Sequence, residues 1–206
     1  MTDRPLLPLS HAFYGRSSVE VARDLLGKTL WRRTEAGLTA GIIVETEAYD
    51  GANDPASHAW RGRTPRNAVM FGPPGYAYVY FTYGMHYCIN AVTGPEGQAS
   101  AVLLRAVQPT AGLDIMRERR GDHITDRDLA RGPGRLCQAL GITTADNGTD
   151  LASDALWVRE TTDAPDLLIA ATPRIGITRA AERPWRFVVC DSRYISGRPV
   201  PSRDVQ

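Results

Sequence analysis

Apolar positions along this chain repeat with two periods, and the change of period predicts where its elements lie. Val21, Ala22, Leu25 and Leu26 form a stripe at helical spacing. Ser17, with Glu20 three positions on, fits a capping box ahead of it, and Gly27 closes it. This predicts a helix packed on the outside of a sheet. Residues 1–15, with Pro5 and Pro8, read as an extended arm. Past the helix the pattern becomes one of short extended runs. Residues 29–34 and 41–48 predict two strands joined by the turn Glu35-Ala36-Gly37. Residues 99–107 form an apolar run interrupted by Arg105, which must there be paired or face a cavity. Residues 113–119 predict a short helix. Gly132-Pro133-Gly134 opens another, whose free backbone N–H groups suit an anion. Residues 156–159, 167–171 and 185–190 predict further strands, and the last ten residues read as frayed.

Two stretches depart from this routine alternation. Between Tyr49 and Phe71 a long polar loop carries His58, Trp60, Arg61, Arg63 and Arg66. A loop of that length inside a compact domain is functional or disordered, and this mixture of side chains favours function. After the turn Gly72-Pro73-Pro74-Gly75, residues 76–82 and 85–92 flank Tyr83-Gly84, a hairpin with glycine supplying positive φ. Alternation sets Tyr76, Tyr78, Tyr80 and Thr82 on one face and Val79 and Phe81 on the other. Tyr83 falls at the tip, with little to pack against. Hairpin signals in place of strand–helix–strand alternation point to an α+β fold with an antiparallel sheet. With no linker, repeat or low-complexity segment, residues 1–206 read as one domain, compact over about residues 10–196.

Composition narrows the class. At 206 residues, 43% hydrophobic and 23% charged, the chain is long enough to bury a real core and reads as an ordinary globular protein. A net charge of +1 does not announce a nucleic-acid binder. Lys28 is nevertheless the only lysine among 24 basic residues, and arginine forks grip phosphates in two-point fashion. A compositional bias of the genome accounts for this equally well. Cys88, Cys137 and Cys190 are odd in number and lack CxxC spacing, which argues against a disulfide framework or a zinc site. The start lacks the basic and apolar regions of a signal peptide, and no run approaches the ~20 apolar residues of a membrane span. A cytoplasmic protein with no targeting signal and no membrane contact is expected.

The candidate chemistry begins at Glu45 and Glu47. They lie two apart at the end of the run Gly41-Ile42-Ile43-Val44, on one face of a strand, with Thr46 on the other. Two exposed glutamates on an edge strand are commonplace. The apolar run before them favours partial burial of one, with its pKa raised toward the range useful to a general base. Tyrosines on one hairpin face beside a carboxylate suit a flat base: stacking contributes about 1–3 kcal/mol per base, against a few kcal/mol to extract one from a duplex.

Five segments carry a more specific signal: ETEAYDG, the histidine loop ending in RTPRNAVMF, YVYFTYGMHYCIN, VLLRAVQP and GPGRLCQALGI. Together and in this order they closely resemble the alkyladenine (3-methyladenine) DNA glycosylase family of the mammalian type, over residues 10–196. The resemblance implies a single domain around a curved antiparallel β-sheet with flanking helices and a protruding β-hairpin. It also implies a monomeric, nucleoid-associated base excision repair enzyme acting on double-stranded DNA containing a damaged purine, with no cofactor and no metal. Lys28 is the only lysine, and with none near the site to form a Schiff base the enzyme is expected to be monofunctional. Glu47 matches the general base and Arg105 an arginine supporting the active-site base and water. Tyr49 and Tyr80 match the rings that sandwich the flipped base, and His58 the histidine that hydrogen-bonds the lesion. Asn90 matches the asparagine that crowds guanine's exocyclic amine, and Tyr83 the residue inserted into the vacated stack.

The match has departures. Trp60 stands where the mammalian proteins carry a small residue, the histidine loop is a residue shorter, and His86 and Tyr87 differ, which bears on lesion preference. The mammalian basic N-terminal extension is absent. Two alternatives remain open at this point: a non-catalytic damage-binding protein, and an enzyme acting on free nucleosides, which would have no use for Tyr83.

Overall fold

The strand that organises the fold is β2 (Gly37–Asp50), fourteen residues long and hydrogen-bonded along both edges. A computed structural model describes residues 7–162 and 166–204. The first six residues of the expected arm and the last two of the expected frayed end lie outside the described residues. Helix α2 (Ser18–Asp24) forms where its stripe predicts, with Ser17 as N-cap accepting from the Glu20 N–H. Its apolar side lies on β2 and on β5 (Ser100–Ala111). From the sheet, Thr46 returns a hydroxyl hydrogen bond to the Ala22 carbonyl at 2.7 Å.

The remaining strands are β1 (Thr29–Thr34), β3 (Ala77–Thr82), β4 (His86–Val92), β6 (Leu156–Arg159), β7 (Ile169–Thr172) and β8 (Arg186–Val189). Every pairing is antiparallel, in the order β3-β4-β5-β2-β1-β6, with β8 bonded to both β2 and β7. Along one edge β2 changes partner: its first half faces β1, while Glu45 to Glu47 face Val188 to Arg186 of β8. The switch coincides with two register shifts against β5 that flank Glu45, leaving Val44 and Arg105 without a partner across the ladder. Bulges of this kind bend a strand and re-aim its side chains. Here they curl the sheet into a half-barrel, a single α+β domain as expected.

Val21, Leu25, Ile43, Leu104, Leu136 and Leu140 belong to one buried cluster, which includes side chains of α4 (Pro133–Leu140). A second, smaller cluster of Met70, Tyr78, Val92 and Ala101 lies under the histidine loop. Helix α3 (Leu113–Arg120) packs against α4.

Two expectations need correction, on the arm and on the C-terminal end, while the polar loop takes the ordered form that a functional loop requires. The N-terminal arm is not all extended: α1 (His11–Tyr14) is a single helical turn, and Tyr14 is fully buried. One turn carries too little periodicity to register in sequence, and aromatic burial is what holds it. The described part of the C-terminal end is tied down rather than frayed. The Asp191 N–H donates to the Val200 carbonyl at 2.9 Å, and the Gly197 carbonyl accepts from Arg131. The polar loop is ordered, opening with a tight turn at Gly51–Asn53 and closing with another at Ala68–Phe71.

Gly51 begins that loop at φ +38°, where an added Cβ would collide with the Ala99 carbonyl. Gly51→Ala should lower the unfolding free energy by about 2–4 kcal/mol through backbone strain plus overpacking. Gly62→Ala, in open space at φ +96°, should cost only about 1–2 kcal/mol. Urea midpoints of the two variants, at unchanged slope, check the difference.

Candidate active site

Beside the hairpin opens a cavity of about 380 Å³ whose lining includes Tyr49, His58, Tyr78, Tyr80, Cys88, Asn90, Arg105 and Ile175. Six of the seven residues picked from sequence therefore meet there or at its mouth: Tyr49, His58, Tyr80, Tyr83, Asn90 and Arg105. Glu47 does not line it. Its carboxylate lies behind the wall, wholly shielded from solvent, and is reached through residues that do. The Ile175 N–H donates to Oε1 at 2.7 Å and the Tyr49 hydroxyl to Oε2 at 2.8 Å. Arg105 Nη1 lies 3.3 Å from the same Oε2.

Glu45 and Glu47 do share one face, but both are fully buried, not one in part. Glu45 accepts from Arg105 Nε at 3.0 Å, from Arg186 Nε at 2.6 Å and from the Ser196 N–H at 2.6 Å. Burial alone would push its carboxyl up, yet Arg105, Arg186 and the Ser196 N–H outweigh it and hold Glu45 below the usual carboxylate range. The raised carboxyl expected from the apolar run is therefore not found at Glu45. Its cost of burial is met by two guanidiniums that local pattern does not reveal. Arg105 itself is held more firmly charged: burial opposes the charge, and Glu47 and Glu45 prevail.

The tyrosines are positioned by strand alternation. Tyr78 and Tyr80 share the cavity face with ring centroids 5.3 Å apart, while Tyr76 is drawn aside against His11. Burial and the neighbouring Glu47 push the Tyr49 hydroxyl well above its ordinary range, and burial does the same to Tyr80 beside Cys88. The Tyr78 hydroxyl is pushed up to about 12, chiefly by burial. All three stay neutral at physiological pH. Asn90, opposite Tyr78, donates to the Tyr78 carbonyl at 3.0 Å.

His58 sits on the rim, its ring edge-on to Tyr80 with centroids 4.6 Å apart and its Nδ1 3.1 Å from the Tyr78 hydroxyl. Asn67 holds the loop in shape, donating to the carbonyls of His58 at 2.9 Å and Gly62 at 3.0 Å. Arg66 ties it to the hairpin through the Phe81 carbonyl at 3.1 Å. At the hairpin tip Tyr83 and Gly84 both take positive φ, +51° and +68°, the signature of a type I′ turn. Tyr83 is 83% exposed and Met85 next to it 70%.

Sequence reasoning missed Asp54, Arg174 and Arg186. Arg174 and Asp54 form a fully buried two-point ion pair at 2.5 and 2.8 Å that joins the histidine loop to the segment carrying Ile175. The partners are 120 residues apart, so no local spacing announces them.

A buried carboxylate behind an aromatic cavity, with an exposed tyrosine protruding beside it, is the arrangement expected of a hydrolase acting beside a flat base. Comparison with known proteins gives the same class. The Methylpurine-DNA glycosylase (MPG) family matches residues 12–193. A protein named "Putative 3-methyladenine DNA glycosylase" from Rhodopseudomonas palustris is 54% identical, covering 94% of this chain and 89% of its own length. Proteins of the same name from Burkholderia lata (51%; 95% and 93% covered) and Methanoculleus marisnigri (53%; 93% and 100%) agree. This chain belongs to the methylpurine-DNA glycosylase family. It is a DNA glycosylase, a hydrolase acting on N-glycosidic bonds in base excision repair of DNA.

Burial, then the Arg66 charge, holds the His58 pKa below its ordinary 6.5. Because the folded state prefers neutral imidazole, His58 should cost stability as pH falls through about 6.5, not as it rises. An NMR titration should find its midpoint below 6.5, moving upward in Arg66→Gln.

Proposed function

We propose that this glycosylase excises alkylated and deaminated purines from duplex DNA, namely 3-methyladenine, 7-methylguanine, hypoxanthine and ethenoadenine. It acts as a monomer that flips the damaged nucleotide into the tyrosine cavity. The observation carrying this reading is the carboxylate of Glu47, fixed by three donors behind a cavity walled by Tyr49, Tyr80 and Arg105. A carboxylate accepts about four hydrogen bonds. Three donors leave Glu47 room for one more, which a water molecule takes.

Glu47 removes a proton from that water as it attacks C1′, while its charge steadies the oxocarbenium-like sugar. Arg105, oriented by Glu45, supports Glu47 and the water. The rings of Tyr49 and Tyr80 sandwich the flipped base, and His58 hydrogen-bonds the lesion. Asn90 narrows the cavity against guanine's exocyclic amine. Tyr83 enters the vacated stack, so that stacking in the cavity and at the wedge offsets the few kcal/mol of flipping. A base already cationic from alkylation leaves readily; hypoxanthine and ethenoadenine need a proton as they depart. Lys28 is bonded to Glu160 at 2.6 Å and does not line the cavity. That supports hydrolysis without a Schiff base, and borohydride should trap no covalent adduct with DNA.

Single-turnover release from duplexes bearing each of the four lesions tests the whole reading. Glu47→Gln should slow release about 10³-fold, within the range for loss of a general base, while keeping its grip on lesion DNA. Full activity in that variant would remove Glu47 from its role, and tight binding without any release by the native protein would overturn the mechanism. Tyr83→Asn should move stability and activity in opposite directions. Relief of the αL strain raises stability by about 1 kcal/mol. Loss of the wedge slows excision from paired duplexes about 10–100-fold, and less where the lesion is mispaired. Urea melts and paired-against-mispaired rates read the two effects separately.

A further inference from the structure

Arg174 lies outside the cavity lining, with its side chain fully shielded, yet it touches both the strand of Glu47 and Tyr49 and the loop of His58. Its Nη1 donates at 2.9 Å to the Ala48 carbonyl, the residue between Glu47 and Tyr49. Its two Nη atoms hold both carboxylate oxygens of Asp54, on the loop that carries His58. Its guanidinium carbon lies 4.7 Å from the centroid of the Tyr49 ring and 5.3 Å from that of Trp185. The next residue in the chain, Ile175, gives its N–H to Glu47.

Two further contacts close the same seam. Arg183 donates to the Asn53 carbonyl at 2.9 Å, and Arg179 lies 4.9 Å from the ring centroid of Trp60. Trp60 is the loop residue that departs from the mammalian pattern, so the seam extends to that side chain. Those two contacts are on the exposed side, whereas the Arg174 pair is the buried one.

We infer that Arg174 is a positioning residue for base excision, one planar guanidinium setting the Tyr49 ring, the His58 loop and the Ile175 donor in register. Only an arginine can do this: its rigid fork grips Asp54 in two-point fashion, donates to a third oxygen and presents a flat face to Tyr49 at once. A lysine offers a point charge and no plane. Misplacement of reacting groups by about 1 Å costs on the order of 10²-fold in rate, so small slack at this seam is felt at the bond being broken.

The inference rests on the roles proposed above for Glu47 and Tyr49. Two variants separate positioning from mere folding. Arg174→Lys keeps a cation beside Asp54. The double variant Asp54→Leu/Arg174→Met removes both charges together and so leaves no unpaired buried ion, a replacement that is commonly neutral for stability. Both are assayed beside the native protein for melting temperature, affinity for an ethenoadenine duplex, single-turnover release, and emission of the bound ethenoadenine, which reports its stacking.

Native release establishes the proposed reaction, and its absence sinks that reading before Arg174 is in question. Given native release, the folded variants should bind within about 3-fold of the native protein, excise at least 10-fold more slowly, about 10²-fold at the full misplacement cost, and show altered emission. Native rates and emission in either folded variant would overturn the inference. So would activity lost only in proportion to the folded fraction, since that makes the pair purely structural.

Discussion

Two carboxylates with no solvent exposure, side by side on one strand, are the constraint from which the rest of the site follows. Leaving a buried carboxylate without a partner costs several kcal/mol, so the chain must bring cations and N–H donors to Glu45 and Glu47 from elsewhere. Arg105 arrives on β5, Arg186 on β8, and the Ser196 and Ile175 N–H groups from segments on either side of β8. This is why β2 bulges at Glu45 and why β8 pairs with β2 at that point. The arrangement is also asymmetric. Glu45 takes two guanidiniums and an N–H, charged partners that hold it as a structural acid away from the cavity. Glu47 takes weaker donors and only the edge of Arg105, and so retains capacity for the proposed water. Glu45 holds Arg105 at the angle that lets Glu47 do this.

Most of the local architecture was legible in the chain. The α2 stripe, the hairpin with its tyrosine alternation, and the opposed directions of Thr46 and the two glutamates follow from periods of 3.6 and 2, which sequence displays directly. What stayed hidden was non-local. Asp54 with Arg174, and Glu45 with Arg186, join residues more than a hundred positions apart. Their individual surroundings, a polar loop and a short strand, look ordinary. Asn67, which shapes the His58 loop through two carbonyls, reads in sequence as one more polar loop residue. The buried arm residue Tyr14 was missed for the opposite reason: its element is a single turn, too short to show a period. The candidate residues of the cavity were picked mainly through resemblance, because five short motifs in order specify far more than any spacing among them.

The hairpin shows what the fold concedes to function. A type I′ turn prefers Asn-Gly because both central residues need positive φ. This chain instead places a bulky tyrosine there, almost wholly in solvent. Local propensity and burial both argue against Tyr83, and among the described residues its side chain makes no hydrogen bond or ring contact that compensates. Such a conflict between levels is expected where the compensating surface belongs to a ligand. The arginine that bonds the loop to the hairpin, Arg66 through the Phe81 carbonyl, also adds its charge to the burial that lowers the His58 pKa.

Neutrality extends to the whole cavity wall. The tyrosine hydroxyls are held protonated, His58 is held uncharged, and the two guanidiniums nearest the base are engaged by carboxylates: Arg105 by Glu45 and Glu47, Arg174 by Asp54. Arg66, just outside the lining, keeps its charge 5.6 Å from the Tyr80 ring centroid, while the aromatic faces of the wall suit a methylated purine. A desolvated cation over an aromatic ring gains about 2 kcal/mol, a preference that a neutral base of the same shape does not share. In the proposed reaction the charge nearest the sugar is the carboxylate that receives the proton, with Arg105 shared between it and Glu45. Selection of a positively charged leaving group and stabilisation of the cationic sugar it leaves behind then share one electrostatic design, with the arginines placed behind the rings instead of beside the base.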